Sequence, residues 1–265
     1  MNEQQRQSTK KERADAARRK FIGGAAAVGA AGGLAAIAPG IHLIEVSQAQ
    51  STQASRAAGE AASNKVRWGM LIDTNKCDSG CTDCVKACAT ENGINETVKD
   101  ARQGSQWIRK IEIKEVKTGR AHSLPMMCQH CAEPPCVDVC PTGASMKRAD
   151  GIVLVDRHTC IGCRYCMMAC PYKARSFVHQ PLTTQNPDVP RGIGCVESCN
   201  FCVTRVDKGQ QPACVETCAK AGHNAMLFGD LNDPNSDISR RISQTATTQV
   251  RADLKLNLGV RYQGI

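Results

Sequence analysis

Aromatic side chains are scarce in this sequence, because only 3% of its 265 residues are Phe, Trp or Tyr. Rings of this size usually supply much of the area that a core buries. Their scarcity excludes a conventional aromatic-rich core, although the apolar content of 42% is ordinary. The length is typical of one large domain or two small ones, so another kind of group has to fill the interior.

Long apolar runs are absent after residue 49, which excludes a transmembrane helix in that part of the sequence. Beyond residue 20 the sequence also lacks any run of Lys and Arg interleaved with aromatic residues. Such a run would be needed before the formal charge of +9 could be assigned to nucleic-acid binding. We therefore expect no nucleic-acid partner.

Residues 1–49 have the order of an export signal. A polar and basic stretch up to residue 20 precedes a segment rich in Ala, Gly and Ile that ends near residue 44. A charged segment followed by an apolar one is typical of targeting sequences. The pair Arg18 and Arg19 at their junction resembles the twin-arginine (Tat) signal.

The rest of the chain divides by composition. We expect the signal to be cleaved near Ala49, and the alternative is an uncleaved N-terminal membrane anchor, since about 24 residues would span a bilayer. Residues 50–65 are small and polar and indicate a linker. We expect the main domain to cover residues 66–230 and residues 231–265 to form a C-terminal tail that packs on the domain or on a partner.

Cysteine is abundant, in contrast, and 16 of the 17 cysteines fall into four short runs. The third run, "CIGCRYCMMACP", separates its four cysteines by two, two and three residues and ends in proline. In chain order, the runs contain Cys77, Cys81, Cys84 and Cys88; Cys128, Cys131, Cys136 and Cys140; Cys160, Cys163, Cys166 and Cys170; and Cys199, Cys202, Cys214 and Cys218.

Three kinds of site compete for these thiols. Disulfides suit an exported protein, but cysteines two residues apart rarely reach the geometry of a bridge without strain, and an odd total leaves one unpaired. Structural zinc takes two C-x2-C pairs, whereas the first and third runs have three closely spaced thiols and a fourth one helical turn later. The spacing C-x2-C-x2-C-x3-C-P is the bacterial ferredoxin signature of a [4Fe-4S] cluster. Spacing therefore favours iron-sulfur ligation.

In that signature, the fourth cysteine of one run binds the cluster of the other run. The second and third runs both end in Cys-Pro and would form an inner pair, so the first and fourth runs would pair around it. We therefore expect four [4Fe-4S] clusters, whose iron atoms are bound by all sixteen cysteines, in an α+β fold of two interleaved bacterial-ferredoxin-like modules, one inserted in the other, with long irregular loops. The expected ligand sets are site 1 (Cys77, Cys81, Cys84, Cys218), site 2 (Cys88, Cys199, Cys202, Cys214), site 3 (Cys128, Cys131, Cys136, Cys170) and site 4 (Cys140, Cys160, Cys163, Cys166).

Short elements are expected between the runs. Alternating apolar residues around Asp150-Gly151 predict a β-hairpin over residues 145–156. Further strands are predicted at 66–72, 107–116 and 225–228, with short helices after Cys81, Cys136, Cys166 and Cys214.

With the four runs identified, residues 66–265 resemble the four-cluster electron-transfer subunits associated with molybdenum enzymes and with NrfD-type membrane quinone proteins. The motifs "CPYKAR", "PACVETC" and "LFGDLNDPNSDISRRI" carry this resemblance beyond the cysteines. Within the family, the Tat-like signal, the longer first run and "RGIGCVESCNFC" look most similar to DsrO-type subunits of sulfite-reductase-associated DsrMKJOP complexes. Subunits of tetrathionate, polysulfide and nitrite reduction systems are the near alternatives.

The resemblance implies a non-catalytic electron-transfer subunit in the periplasm, exported by the Tat pathway and held on the outer face of the cytoplasmic membrane by its partner. The implied partners are an NrfD-type polytopic quinone-interacting subunit and a multihaem cytochrome or another iron-sulfur subunit. No small-molecule substrate of its own is expected. A structural subunit with redox-silent clusters and a free periplasmic ferredoxin are the alternatives.

Three features depart from the family pattern or lie outside the ligand sets. The first run has three residues between Cys77 and Cys81, where Gly80 would let the longer loop fold back, and this departure leaves open whether Cys77 binds iron. Cys195 is predicted to be an inert, largely buried thiol. His130 is a candidate hydrogen-bond donor to cluster sulfur, although loop histidines without a metal role are commoner.

Overall fold

The structure is a computed structural model that describes residues 56–57, 59–94, 100–183 and 185–265. The predicted signal, residues 1–49, lies outside the described residues, as do residues 50–55 and 58 of the predicted linker. Among the helices of the described ranges, none has the length and apolar composition needed to cross a bilayer.

Short strands and helices alternate with irregular loops along the described chain. The strands are β1 (Trp68–Asp73), β2 (Ile108–Lys114), β3 (Ala121–Met127), β4 (Ser145–Lys147), β5 (Val153–Val155), β6 (Ser176–Phe177), β7 (Val196–Glu197), β8 (Met226–Asp230) and β9 (Val260–Gln263). The helices are α1 (Asp83–Glu91), α2 (Pro135–Asp138), α3 (Tyr165–Ala169), α4 (Val203–Val206), α5 (Ala213–Lys220) and α6 (Asp237–Gln244). Three turns of 3-10 helix lie at Thr74–Lys76, Ala101–Gln103 and Ala252–Leu254.

The largest sheet has three strands in the order β8, β1, β9. Its central strand β1 is antiparallel to β8 and parallel to β9. The apolar run of β1 is buried on both faces, since Met70 and Ile72 have no exposed surface and Leu71 is nearly as buried. Helix α6 covers this sheet through contacts with β8 and β1, and Ser236 caps its first turn by accepting a hydrogen bond from the Ser239 N–H.

Three two-stranded antiparallel pairs complete the sheets of the described chain: β2 with β3, β4 with β5, and β6 with β7. The β4–β5 pair joins Ser145 to Val155 across the Asp150-Gly151 turn, so the predicted hairpin is confirmed. The strands predicted at 66–72, 107–116 and 225–228 are confirmed within two residues of their predicted ends as β1, β2 and β8.

The predicted helices are confirmed as α1, α2, α3 and α5. Three of them begin just before the cysteine after which they were expected. Pro135 starts α2, where a proline costs no hydrogen bond because the first N–H groups of a helix lack an internal partner.

The C-terminal residues 231–265 are part of this fold. Strand β9 completes the central sheet, and Leu258, Val260 and Tyr262 are almost completely buried. The segment also braces the second cysteine run, because the Gly259 N–H donates to the Gln129 carbonyl across 2.9 Å.

The core is rich in cysteine. Buried cysteines from all four runs belong to one continuous cluster with the apolar residues of β1, β3, β8 and β9. The cysteine loops therefore lie inside the molecule, where the scarce aromatic residues would otherwise be needed.

Candidate metal centres

Helices α1 and α5 pack against each other and distribute two pairs of cysteines between two sites. Along α1, Cys84 faces site 1 and Cys88 faces site 2; along α5 the order is reversed, with Cys214 at site 2 and Cys218 at site 1. A spacing of four residues places both cysteines of a helix on one face, one turn apart. A pair of packed helices can therefore serve two neighbouring sites.

Helices α2 and α3 repeat this arrangement in the inner runs, and they also pack against each other. Cys136 and Cys170 line the pocket of site 3, whereas Cys140 and Cys166 line the pocket of site 4. Each inner run therefore has its fourth cysteine at the site of the other run.

Site 1 surrounds a pocket of about 360 Å³, a volume that includes space open to solvent. Lys110 donates a hydrogen bond to the Cys77 Sγ across 2.9 Å, and the His223 Nε2 lies 3.7 Å from the Cys81 Sγ. His223 also faces Asp78 at 3.5 Å. Ligand atoms of Cys81, Asp83 and His223 lie within 4.8 Å of one another, but this group shares Cys81 with site 1 and belongs to it.

Site 2 is the most enclosed group of thiols. Its four cysteines, Cys88, Cys199, Cys202 and Cys214, are all at most 6% exposed. Burial raises the pKa of the Cys88 thiol well above its ordinary value, and the neighbouring thiols of Cys199, Cys214 and Cys202 raise it further. Asn92 opposes this effect with a hydrogen bond to the Cys88 Sγ at 3.6 Å.

Site 3 surrounds a pocket of about 320 Å³, again counting open space. Burial raises the pKa of the Cys128 thiol to about 12. Arg175 is 6% exposed and donates to the Cys136 Sγ across 3.1 Å and to the Ser145 Oγ across 2.8 Å.

Site 4 surrounds a pocket of about 300 Å³ on the same measure, and it is more open to solvent than sites 2 and 3. Cys163 is exposed, while Cys140 and Cys160 are partly exposed. The Ser145 N–H donates to the Cys140 Sγ across 3.3 Å.

The electrostatic neighbours of the thiols establish the order of the sites. Cys84 of site 1 acts on Cys214 of site 2, and Cys128 of site 3 acts on Cys199 of site 2. Cys166 of site 4 acts on Cys136 of site 3. The sites thus follow one another as 1, 2, 3 and 4, with exposed or partly exposed cysteines only at the two end sites.

The surroundings of site 3 test whether an anionic cluster fits there. Arg175 forms no ion pair with a carboxylate among the described residues, although a buried cation without a counter-charge is strongly destabilising. Two further donors that line this pocket, the Arg175 Nη1 and the Tyr172 hydroxyl, are buried without a hydrogen-bond partner in the described part of the chain. A cluster with thiolate and sulfide groups would supply both the missing charge and the missing acceptors.

The chemistry of the thiols also fits an iron-sulfur cluster. All seventeen cysteines are free, so the disulfide alternative has no support. Burial raises the pKa of buried thiols such as Cys88 and Cys128 and so favours their protonated form, and metal binding would release those protons.

The structure brings the sixteen predicted cysteines together in the four predicted groups. Cys195 lies outside them, buried, with its Sγ 3.3 Å from the Arg157 carbonyl oxygen. Sequence reasoning missed Lys110 and Arg175, which contact cysteine sulfur. Arg175 follows Cys170 by five residues in the motif "CPYKAR", so the sequence contained a local signal for it. Lys110 lies on β2, far from any cysteine in the sequence, and had no such signal.

Comparison with known proteins agrees with the expected cofactor. Residues 120–231 match the family model described as "4Fe-4S dicluster domain". The chain is 41% identical over 230 residues to the Hdr-like menaquinol oxidoreductase iron-sulfur subunit 1 of Archaeoglobus fulgidus, an alignment that covers 77% of this chain and 85% of that protein.

Two other relatives are nearly as similar. Protein NrfC of Escherichia coli K12 is 40% identical over 200 residues, which cover 75% of this chain and 79% of that protein. A tetrathionate reductase subunit of Salmonella typhimurium is 38% identical over 186 residues, which cover 67% of this chain and 64% of that protein. The expected cofactors are confirmed, and the chain belongs to the iron-sulfur electron-transfer subunits of the molybdoenzyme, NrfC and Hdr-like menaquinol oxidoreductase family, with cysteines for four [4Fe-4S] clusters.

Proposed function

We propose that this chain relays single electrons along sites 1, 2, 3 and 4 between a quinone-interacting membrane subunit of the NrfD type and another redox subunit. The observation that carries this proposal is the order of the sites. Two enclosed sites lie between two end sites that contain partly exposed cysteines. This arrangement suits entry of an electron at one end and exit at the other.

The ligand sets are part of the proposal. Each site would hold one [4Fe-4S] cluster on its four cysteines, with Cys77 included at site 1 and Cys195 left free. When bound, each cluster supplies one-electron redox chemistry at a potential that burial, hydrogen bonds to sulfur and local charge determine. Lys110 at site 1 and Arg175 at sites 3 and 4 are the cations placed to adjust that potential.

The chain would not be the catalyst of its complex. Every site has four thiols in place, so no iron is left with an open position for a substrate, as catalytic metals require. The groups that surround the sites hold and orient the cysteines. We therefore assign substrate chemistry to other subunits, such as a multihaem cytochrome or another iron-sulfur protein.

The two ends present different surfaces to partners. Next to site 4, an apolar patch consists of Ile161, Tyr165 and Met168, which are 68%, 54% and 65% exposed. Exposed apolar residues grouped in this way mark interaction surfaces, and stable subunit interfaces have apolar centres. We assign the membrane subunit to this end.

Site 1 has a different rim. Charged residues line its pocket, including Lys76, Asp78, Asp83 and Lys110. Charged rims favour fast, salt-sensitive encounters over permanent contact. We assign the other redox subunit to this end.

The cellular setting rests on the sequence and on the relatives' names. Arg18, Arg19 and the apolar segment that follows support Tat export to the periplasm, with the folded protein held on the outer face of the cytoplasmic membrane by its partner. Among the alternatives, we favour a sulfur-metabolism complex of the DsrMKJOP type, with this chain in the position of DsrO. Iron-sulfur subunits of tetrathionate, polysulfide or nitrite reductase systems are the alternative.

The fold supports a modular description. Sites 3 and 4 are built from one pair of packed helices, and sites 1 and 2 from a second pair whose sequences flank the first. We therefore describe the domain as two bacterial-ferredoxin-like modules, one inserted in the other. Residues 231–265 belong to the outer module through β9.

Anaerobically purified protein tests the relay. Four complete clusters correspond to about 16 iron atoms per chain, and a potentiometric titration followed by EPR should reveal four one-electron couples. Full iron content with clusters that stay oxidised across the physiological range would leave only a structural role. Zinc in place of iron would overturn the proposal altogether.

A further inference from the structure

The first loop of each cysteine run turns at the same place. In all four runs the residue immediately before the second cysteine has a positive φ, in the left-handed region. At the two end sites this residue is glycine, Gly80 with φ 84° and Gly162 with φ 70°. At the two inner sites it is His130 with φ 44° and Phe201 with φ 54°.

Glycine is the residue that accepts this conformation without steric cost, whereas a side chain with a Cβ is strained there. The end sites therefore have the ordinary solution. A histidine and a phenylalanine at the same positions of the inner sites need a compensating interaction.

That interaction is a stack between the two side chains. The His130 and Phe201 rings lie 3.6 Å apart at their centroids with an angle of 22° between their planes. Both are almost completely buried, at 2% and 1% exposed. Since each ring belongs to a different cysteine loop, the stack joins the loop of site 3 to the loop of site 2.

The same two residues also hold the first cysteine of each loop. The His130 backbone N–H donates to the Cys128 thiol, and the Phe201 backbone N–H donates to the Cys199 thiol. Cys128 and Cys199 are close enough to act on each other electrostatically. A shift of either ring would therefore move a cysteine that faces the neighbouring site.

Both rings are fixed in place. The His130 Nδ1 accepts a hydrogen bond from the Val153 N–H across 3.0 Å, which puts the ring proton on Nε2. The far side of Phe201 meets Phe228 edge to face, with centroids 5.2 Å apart. A pair held from both sides can define a distance between two loops.

We propose that the stacked His130–Phe201 pair is the positioning element that sets the separation of sites 2 and 3, and with it the electron exchange in the middle of the relay. This inference rests on the proposed function, because it concerns the central step of that relay. In that step one electron would pass between the clusters that the cysteines of sites 2 and 3 would hold, one being oxidised and the other reduced, with no bond formed or broken and no proton transferred.

Three variants of the full-length protein with its clusters test the pair. Phe201→Leu removes the aromatic ring but keeps an apolar side chain. Phe201→His keeps an aromatic ring, the same imidazole that His130 has. Phe177→Leu is the matched control, because it makes the same change in a ring on β6 whose aromatic and cation contacts are His179 and Arg164 and not either ring of the stack.

Two measurements report on the separation of the sites. In the dithionite-reduced protein, EPR detects the magnetic interaction between neighbouring reduced clusters. Pulse radiolysis that delivers less than one electron per chain reduces the exposed end sites first, and the later absorbance change follows the electron across the inner sites. Iron analysis verifies that each variant retains its clusters.

We expect Phe201→Leu to weaken the magnetic interaction and to slow the redistribution by roughly tenfold to a hundredfold, because a displacement of about 1 Å between reacting groups can cost about 10²-fold in rate. Phe201→His and Phe177→Leu should behave as the unmodified protein does. An unchanged spectrum and rate in Phe201→Leu would overturn the inference, as would equal losses in Phe177→Leu.

A variant that loses iron is replaced by a milder one. His130→Asn removes the other ring with a residue that tolerates positive φ, and it should give the same losses as Phe201→Leu. If radiolytic electrons never leave the end sites of the unmodified protein, the relay itself fails. If they do leave and Phe201→Leu has no effect, only the role of the stack fails.

Discussion

Arg175 donates a hydrogen bond to the Cys136 Sγ across 3.1 Å from inside the core, where it has no carboxylate partner among the described residues. Burial alone lowers the pKa of this guanidinium, but the thiols of Cys136, Cys128 and Cys166 outweigh it and the pKa lies above its ordinary value. One buried cation therefore acts on cysteines of both site 3 and site 4.

Replacing Arg175 should lower the reduction potentials of both sites, because a cation stabilises the more negative, reduced cluster. For Arg175→Gln we expect a shift on the order of 60 mV, which is about 1.4 kcal/mol for one electron and close to the ~1.5–3 kcal/mol of a hydrogen bond to a charged group. Arg175→Lys keeps the charge but not the fork of donors and should shift less. Redox titration followed by EPR measures both.

Arg109→Gln provides the matched control, because Arg109 donates to the Tyr172 carbonyl and not to a thiol. In this variant, the reduction potentials of all four clusters should equal those of the unmodified protein within the error of the titration. Equal shifts in the Arg109 and Arg175 variants would mean that overall charge, and not contact with sulfur, sets the potentials.

The crosswise ligand sets predict which cysteine substitutions add and which do not. Cys170→Ala should disrupt site 3, although Cys170 follows the cysteines of site 4 in sequence. Combined with Cys128→Ala, in the same site, it should lose no more iron than either single variant. When Cys170→Ala is combined with Cys163→Ala, in site 4, the iron losses of the two single variants should add, as expected for independent sites.

Iron and sulfide analysis of the anaerobically purified single and double variants measures these losses. Cys195→Ala should retain the full iron content, since its thiol faces the Arg157 carbonyl and lies outside the four groups. If the iron losses were additive for Cys170 with Cys128 and not additive for Cys170 with Cys163, Cys170 would have to be assigned to site 4.

Local patterns in the sequence predict much of this protein. The spacing of the cysteines predicts iron-sulfur ligation, and Asp150-Gly151 predicts the turn between β4 and β5. Both signals depend on residues a few positions apart. The family resemblance extends them to the whole domain, since the chain aligns with its relatives over about three quarters of its length.

Interactions between distant residues were beyond local patterns. Strand β3 was not predicted, and it contains Pro125, a residue that usually argues against a strand. Strand β9 is short, and it is defined by its pairing with β1 and by a bridge between Tyr262 and Thr248. The stack of His130 on Phe201 joins residues 71 positions apart, for which a single sequence has no signal.

Tyr262 makes the contribution of β9 measurable. It has no exposed surface, and its hydroxyl donates to the Pro125 carbonyl across 3.0 Å. Tyr262→Phe should lower the free energy of unfolding by about 1 kcal/mol, the usual worth of a hydrogen bond, and Tyr262→Ala by about 3–5 kcal/mol through the cavity it leaves. Anaerobic urea unfolding followed by circular dichroism measures both values.

Tyr165→Phe is the control for this pair, because Tyr165 is 54% exposed. Its change should stay within about 0.5 kcal/mol, as is usual for surface positions. If Tyr262→Ala were as stable as the unmodified protein, β9 would be an accessory to the domain and not part of its core.

The apolar patch of Ile161, Tyr165 and Met168 predicts where the membrane subunit docks. A charge in the centre of an apolar interface is strongly unfavourable when the partner covers it. Ile161→Glu and Met168→Glu should therefore release the protein from native membranes and abolish reduction of its clusters by quinol, with the iron content unchanged. Val116→Glu is the matched control, because Val116 is 97% exposed in the turn between β2 and β3 and lines none of the pockets of sites 1, 3 and 4. Membrane association and reduction by quinol that survive in both patch variants would overturn the assignment of the membrane subunit to the site 4 end.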